Sequence, residues 1–324
     1  MLSIDNIQAD VEKWLSEVDY SQEPCNLYEP ISYSLSLGGK RLRPTLCVSA
    51  CALFKDDYTQ ARWPAMAIEV FHNFTLLHDD VMDNADIRRG KPTVAAKYGT
   101  NTAILSGDAM LVDAYRLLQL TDSPSYSLIM DCFNQTAREV CEGQQMDMDF
   151  ETRNDVTTDQ YLEMIRLKTA VLLAASLKIG ALVGGANAQD TQALYDFGIK
   201  IGLAFQLQDD LLDSFGDQAT FGKAIGGDIM ENKKTYLLLT AMDRSDSQQR
   251  KELLRWLGAS VPNKDEKIQA VKKIFEATGA RDVVEAEVEN LFKEAMSGLR
   301  EMEITAEGKR YLIDYANKLF KRNK

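Results

Sequence analysis

Proline is scarce in this chain and unevenly placed: Pro24, Pro30, Pro44, Pro64, Pro92 and Pro124 fall early, and none follows until Pro262. The stretch between lacks the residue that most often breaks a helix, so it is free to run as long helices. Strict apolar–polar alternation is missing at any length that would make a strand, while apolar residues recur at three- and four-residue spacing almost everywhere. Both absences point to an all-α chain. The five cysteines, Cys25, Cys47, Cys51, Cys132 and Cys141, form no CxxC pair. Their odd number, with a start that lacks the basic n-region of a signal, argues for reduced thiols in a cytoplasmic protein. Positive charge is in deficit: 37 Lys and Arg against 49 Asp and Glu leave a net charge of −12 with no basic stripe, which argues against nucleic acid as a partner. The longest apolar run, Thr169 to Ala186, is interrupted by Lys178 and by Gly180, Gly184 and Gly185, a pattern that suits a buried central helix and not a transmembrane segment. Histidine is limited to His72 and His78, and no Ser/His/Asp or Cys/His arrangement offers a protein nucleophile. No linker or low-complexity stretch divides residues 1–324, which read as one domain.

What the chain does have is enough apolar material, 45% of 324 residues, for a sizeable core. Helices are expected near 3–19, 25–36, 41–55, 60–84, 101–120, 125–149, 158–184, 188–214, 232–243, 246–257, 264–278, 281–299 and 304–321. Two of them end in the same acidic signature: Asp79-Asp80-Val81-Met82-Asp83 and Asp209-Asp210-Leu211-Leu212-Asp213. Like charges at i and i+4 destabilise a helix, carboxylates among apolar neighbours cost more, and the negative end of the helix dipole adds to both. Solvated acidic faces are the ordinary reading of such residues; the duplication and the apolar flanks favour a bound cation instead. Spacing i, i+4 puts Asp79 with Asp83, and Asp209 with Asp213, on one helix face each, so two oxygen clusters can face each other across a cavity. Mg²⁺ suits such oxygens, held by one or two carboxylates plus substrate phosphates. After each signature comes a Gly-containing polar loop, Asn84 to Gly99 and Ser214 to Gly227, of the kind that closes over a cavity.

Cations are gathered locally. Gly38-Gly39-Lys40-Arg41-Leu42-Arg43-Pro44 opens a helix with a backbone that can approach closely and with Lys40 and Arg43 on one face at i, i+3, the makings of a diphosphate cradle. Taken alone, that motif is equally a solvated basic turn. Arg88 and Arg89 are adjacent and diverge, so each can reach a different anionic group, with the bidentate geometry that phosphate accepts. His72 lies seven residues before Asp79, above the same helix face, which favours a role at a second diphosphate; His78 reads as an ordinary core or surface residue.

The constellation resembles the trans, or head-to-tail, isoprenyl diphosphate synthases. The elements that carry the resemblance are the GGKRLRP stretch, His72, the LLHDDVMDNADIRRGKPT block, Gly143-Gln144 with Asp147, Lys168-Thr169, the FQLQDDLLD block, and Gly222-Lys223 followed by GDIMENKKT, in the family's order over residues 38 to 236. The resemblance implies an all-α bundle of long helices around a central cavity, of the isoprenoid-synthase type. It implies three Mg²⁺ ions, with Asp79, Asp83 and Asp209 as ligands and Asp80, Asp210 and Asp213 in support. It implies isopentenyl diphosphate at Lys40, Arg43, His72 and Arg89. The allylic diphosphate would meet Arg88, Lys168, Thr169, Gln206, Lys223 and Lys233, and Asp147, Thr169 and Gln206 would face the developing allylic cation. The implied reaction ionises an allylic C–O bond, adds isopentenyl diphosphate to the cation and releases a proton. A homodimer with its interface near 101–149 is also implied.

Product length is expected on the helix that carries Asp79, because one turn, ~5.4 Å, is comparable to an isoprene unit. Phe74 is bulky, Thr75 is small and the signature has no insertion, which in the family resembles geranylgeranyl diphosphate synthases. Phe71, Met110 and Met146 are further candidates for the tunnel wall, and Phe71 and Phe74 can equally be plain core. The alternatives are a farnesyl or longer-chain synthase, a class I terpene cyclase, and a non-catalytic synthase subunit. A cyclase needs no second diphosphate cradle, and regulatory subunits have usually lost one acidic motif. The sequence departs from the family at Asn232, where glycine often precedes the lysine. The basic tail Leu319 to Lys324 either closes over the site or is a frayed helix end.

Overall fold

The computed structural model describes residues 4–216, 225–258, 263–302 and 304–320, and the three-and-four spacing of apolar residues becomes helix over most of them. Lys223 with Gly222, and tail residues 321–324, lie outside the described residues. Contacts divide the chain into two compact units, residues 1–134 with 175–192 and residues 135–174 with 193–324.

The first unit holds α1 (Ile4–Ser16), α2 (Cys25–Ser36), α3 (Leu42–Ala52), α4 (Arg62–Met82), α5 (Val94–Tyr98) and α6 (Thr100–Gln119). It also takes the start of α7 (Tyr126–Thr152) and most of α9 (Val171–Gly184). Every residue from Pro44 to Cys51 of α3 is buried, as is every residue from Pro64 to Phe71 of α4. Helices buried on all sides belong in an interior, where each large aliphatic or aromatic side chain contributes about 1.5–3 kcal/mol. α4 packs on α6, α3 and α1, so the first acidic signature ends a helix that is buried along much of its length. Gly180 and Gly184, one turn apart on α9, let that helix lie directly on α3: a Cβ at Gly180 would overlap the Cys47 carbonyl.

The second unit holds the rest of α7, α8 (Thr158–Ile165), a π-helical turn at Arg166–Ala170, and α10 (Ala188–Phe215). It continues through α11 (Gly227–Glu231), α12 (Tyr236–Arg244), α13 (Ser247–Gly258), α14 (Lys264–Ala277), α15 (Ala280–Glu301) and α16 (Ala306–Phe320). Its core gathers Tyr161, Leu207, Leu211, Ile229, Leu253 and Phe275. Thr157 starts α8 with a capping box, its side chain accepting from the Gln160 N–H while the Gln160 side chain returns to the Thr157 N–H.

The structure departs from expectation in four places. Two-residue strands at Ile87–Arg88 and Lys91–Pro92 pair antiparallel, too short to leave a pattern in the sequence. With them the segment after the first signature becomes a hairpin followed by α5, which Thr93 caps by accepting from the Ala96 N–H at 3.1 Å. α3 begins at Leu42, not 41, because Gly38, Gly39 and Arg41 all have positive φ. Lys40 therefore precedes the helix and shares no helical face with Arg43. The helix expected from 232 starts at Tyr236, since Asn232 is left-handed and Thr235 caps the new helix by accepting from the Leu238 N–H. One continuous helical segment, 158–184, is long and apolar enough to cross a membrane, but 83% of its most apolar window is buried in the chain, as in a core helix.

Candidate active site

In the first unit Asp79 and Asp80 occupy the last turn of α4, and Asp83 caps it. Asp80 is 4% exposed. It is held by Arg88, whose Nε lies 2.8 and 2.9 Å from the two carboxylate oxygens and whose Nη2 lies 2.8 Å from Oδ1. The same Nη2 is 3.6 Å from Asp79. Burial raises the Asp80 carboxyl despite the guanidinium that pulls it down. Arg88, expected to meet a diphosphate, thus also clamps the second aspartate of the signature.

The hairpin turn that presents Arg88 puts Arg89, at φ 53, over the glycine turn, where it donates to the Gly38 carbonyl and a Cβ on Gly39 would overlap its guanidinium. Arg43 Nη1 lies 3.0 Å from His72 Nε2. Burial first, then the charges of Arg43, Arg89, Arg88 and Arg41, push the His72 imidazole well below its usual range, so it is neutral. A guanidinium only donates, so Nε2 accepts and the ring proton sits on Nδ1. Arg43, His72 and Arg89 are therefore one electropositive group. Lys40 stands apart on the exposed turn, its carbonyl accepting from Gln8 at 3.2 Å. The turn itself is anchored by Arg41, which the sequence left without a role. Its Nη1 donates to Glu69 at 2.6 Å, its Nε to Glu12 at 3.0 Å and its Nη2 to the Leu35 carbonyl at 2.7 Å.

Phe74 is 8% and Phe71 1% exposed, with ring centroids 5.6 Å apart. Phe71 continues into an aromatic cluster with Phe133 at 5.3 Å, whereas Phe74 meets the edge of His78 at 4.8 Å. Thr75 turns its hydroxyl back to the His72 carbonyl at 2.8 Å. His78 fills the space left by Gly107 and lies 3.1 Å from the Ile104 carbonyl, a packing role.

In the second unit Asp209, Asp210 and Asp213 lie in the last two turns of α10. Asp210 is again the buried member, 4% exposed, but its partners are neutral: the Tyr161 hydroxyl, and the Gln206 amide at 3.1 Å. Burial and the nearby Asp228 charge push the Asp210 carboxyl up to about 7. Gln206 also accepts from Thr169 at 3.2 Å, so Thr169, Gln206, Asp210 and Tyr161 form one hydrogen-bonded chain. Thr169 and Lys168 both sit in the π-helical turn, a local widening that often marks a functional site. Lys168 Nζ donates to Asp147 at 2.6 Å. Desolvation would lower the pKa of Lys233, but the carboxylates of Asp147, Asp228, Asp210 and Glu231 outweigh it and raise the ammonium. Asp213 accepts from the Asp228 N–H at 3.0 Å. Tyr161 carried no sequence signal, since its partner is distant in the chain, and Asp228, within the GDIMENKKT block, carried no role of its own.

Among the described residues no three or more Asp, Glu, His or Cys side chains converge as a ready-made metal cage. That donor chemistry fits Mg²⁺, which is ordinarily held by one or two carboxylates and completed by substrate phosphates, better than a metal that needs an all-protein site.

An all-α chain with acid-ended helices and separate electropositive groups is the architecture of a diphosphate-handling prenyltransferase, and sequence comparison agrees. The polyprenyl synthetase family model matches residues 24–277, and the chain belongs to that family of prenyl-transferring enzymes. It is 41% identical over 277 residues to a short chain isoprenyl diphosphate synthase of Methanocaldococcus jannaschii, covering 85% of this chain and 83% of the relative. It superposes on a crystal structure of a geranylgeranyl pyrophosphate synthase with a TM-score of 0.95 at 43% identity, covering 100% of both chains. A geranylgeranyl pyrophosphate synthase from Corynebacterium glutamicum, solved with isoprenyl diphosphate and magnesium, gives 0.87 at 27% identity over 99% of this chain and 100% of that one.

Proposed function

We propose that the protein condenses isopentenyl diphosphate head-to-tail with allylic diphosphates, that it uses three Mg²⁺ ions, and that its main product is geranylgeranyl diphosphate. The observation that carries this reading is common to both signatures: the middle aspartate is buried and held by protein donors, so the metal-binding role falls to Asp79 and Asp83 in one and to Asp209 in the other. Bound Mg²⁺ would neutralise the charge that develops on the leaving diphosphate. Asp80 and Asp210, locked by Arg88 and by Tyr161 with Gln206, set the ends of α4 and α10, and Asp213 supports the second. Arg43, neutral His72, Arg89 and Lys40 bind isopentenyl diphosphate. Arg88, Lys168, Lys233 and, outside the described residues, Lys223 bind the allylic diphosphate. Thr169, Gln206 and Asp147 present oxygen dipoles and a carboxylate to the allylic cation, a form of electrostatic stabilisation that needs no protein nucleophile. The departing diphosphate takes the final proton.

The family match runs through both units, which supports treating residues 1–324 as one isoprenoid-synthase domain. Five free cysteines support a cytoplasmic setting. Ile104, Leu105, Val112 and Leu128 on α6 and α7 are 42%, 59%, 69% and 57% exposed, and such an apolar face supports a homodimer.

The test is to incubate purified protein with labelled isopentenyl diphosphate, Mg²⁺ and allylic primers of three lengths. The expected outcome is a product of four isoprene units that forms only with isopentenyl diphosphate present. Consumption of an allylic diphosphate without it would signal a cyclase and end this reading. Phe74→Ala should lengthen the main product, and an unchanged distribution would move the floor of the tail pocket elsewhere.

A further inference from the structure

The short helix α11 and the turn after it, which leads into Lys233, are tied at both ends by side chains from other helices. At the start, Asp213 of α10 accepts from the Asp228 N–H at 3.0 Å and its carbonyl accepts from the Gly226 N–H at 2.6 Å. At the end, Asn232 is left-handed at φ 56 and ψ 33. Its N–H returns to the Ile229 carbonyl at 3.3 Å and the Lys233 N–H to the Asp228 carbonyl at 2.9 Å, the paired bonds of a Schellman cap. The Asn232 side chain in turn accepts from Lys267 Nζ at 2.7 Å, and the same ammonium reaches the Met230 carbonyl at 3.3 Å.

Lys267 sits on α14 and is 3% exposed. Lysine is almost never fully buried without a counter-charge, and here its donors go to a helix-end carbonyl and an amide oxygen. Burial alone shifts it, downward, with no carboxylate field in compensation. The burial of this ammonium is offset by those two acceptors, so holding them is what it does in the fold. Beneath the turn lies a cavity of about 10 Å³, room for one water, lined by Ser214, Asp228, Asn232, Lys233 and Thr235 with apolar side chains below. The turn is therefore not close-packed against all its neighbours, and the tether from Lys267 adds a constraint to the cap bonds.

We propose that Lys267 is a positioning residue for the prenyl transfer: by holding Asn232 and the end of α11 it fixes the left-handed turn that presents Lys233 to the allylic diphosphate. This rests on the reading of Lys233 given above. Lys267 touches no substrate in this scheme and acts only through the turn.

The experiment measures KM for the allylic diphosphate and for isopentenyl diphosphate separately, in Lys267→Met, Asn232→Gly and Lys233→Met, with melting temperature as the folding control. Lys267→Met should raise the allylic KM about tenfold, the weight of one charge-assisted hydrogen bond, while the isopentenyl diphosphate KM stays within about twofold. Asn232→Gly keeps the left-handed turn available, and should raise the allylic KM in the same direction by a smaller factor. The double variant Lys267→Met with Asn232→Gly should be no worse than Lys267→Met. If Lys233→Met raises the allylic KM while Lys267→Met and Asn232→Gly do not, the positioning role is overturned and Lys233 keeps its own. If Lys233→Met leaves the allylic KM unchanged, the reading of Lys233 falls, and this inference with it. Should Lys267→Met fail to fold, Asn232→Gly decides: an unchanged allylic KM overturns the proposal.

Discussion

The end of α4 and the end of α10 carry the same acidic spacing and accommodate it in opposite ways. At both, the second aspartate is 4% exposed. Asp80 is met by a guanidinium, Arg88, delivered by a hairpin eight residues on. Asp210 is met by a hydroxyl and an amide from Tyr161 and Gln206, with the Asp228 carboxylate adding repulsion. What is repeated is the buried position of the middle acid, not its partner. On the proposed reading, the metal-binding role lies with Asp79, Asp83 and Asp209, and the middle acid is what each unit holds in place with its own donors.

The largest effect expected from this contrast is on turnover. Asp79→Ala and Asp209→Ala should each lower kcat at least about a hundredfold, roughly 2.7 kcal/mol of transition-state stabilisation, with little change in melting temperature. Near-normal rates in either variant would remove the metal assignment from that helix. Turnover falling only in proportion to lost stability would mean that the outer acids, too, serve the fold.

Stability separates the two middle acids. Arg88→Met leaves Asp80 in place without its cation, and removing one partner of a buried pair costs several kcal/mol. Because the Arg88 side chain is 26% exposed, we expect about 2–3 kcal/mol in denaturant unfolding. Asp80→Asn in the same background should recover most of it, since the uncompensated charge is then gone. Tyr161→Phe removes one neutral donor from Asp210 and should cost about 1–2 kcal/mol. If Tyr161→Phe proves the costlier of the two, the guanidinium is not what distinguishes the first signature.

The same contrast shows how far the sequence could be read. Helix bounds were legible because the spacing of apolar residues is local: α2 runs from Cys25 to Ser36 and α10 from Ala188 to Phe215, within a residue of expectation. The grouping of Arg43, His72 and Arg89 was legible through resemblance, as was that of Lys168, Thr169, Gln206 and Asp147. The argument that put Lys40 on a helix face with Arg43 failed, because three positive-φ residues turn the chain before α3 begins. The clamp of Arg88 on Asp80, the Tyr161 hydroxyl on Asp210 and the tether of Lys267 on Asn232 left no trace in the pattern. Each pairs side chains whose meeting depends on tertiary packing and not on spacing. The π-helical turn was hidden for a related reason, since Arg166-Leu167-Lys168-Thr169-Ala170 holds no glycine or proline that would disfavour an α-helix there.

The smallest effect concerns protons. Both histidines, His72 and His78, belong to the first unit, and His72 is kept neutral by burial and by four arginines. A base whose folded pKa is depressed binds its proton more readily when unfolded. Stability is then lost as pH falls through the unfolded value of about 6.5, at a slope approaching ~1.4 kcal/mol per unit. Between about pH 6.5 and 5.5 the wild-type protein should lose about 1 kcal/mol more than His72→Gln, measured by denaturant unfolding across that range. Glutamine keeps an oxygen that can accept from Arg43 but cannot titrate, so the difference isolates the proton from the hydrogen bond. Parallel pH profiles for the two proteins would mean that the His72 pKa is the same folded and unfolded, and a wild type that gains on His72→Gln as pH falls would mean that His72 is charged in the native state, a third cation beside Arg43 and Arg89 in place of an acceptor.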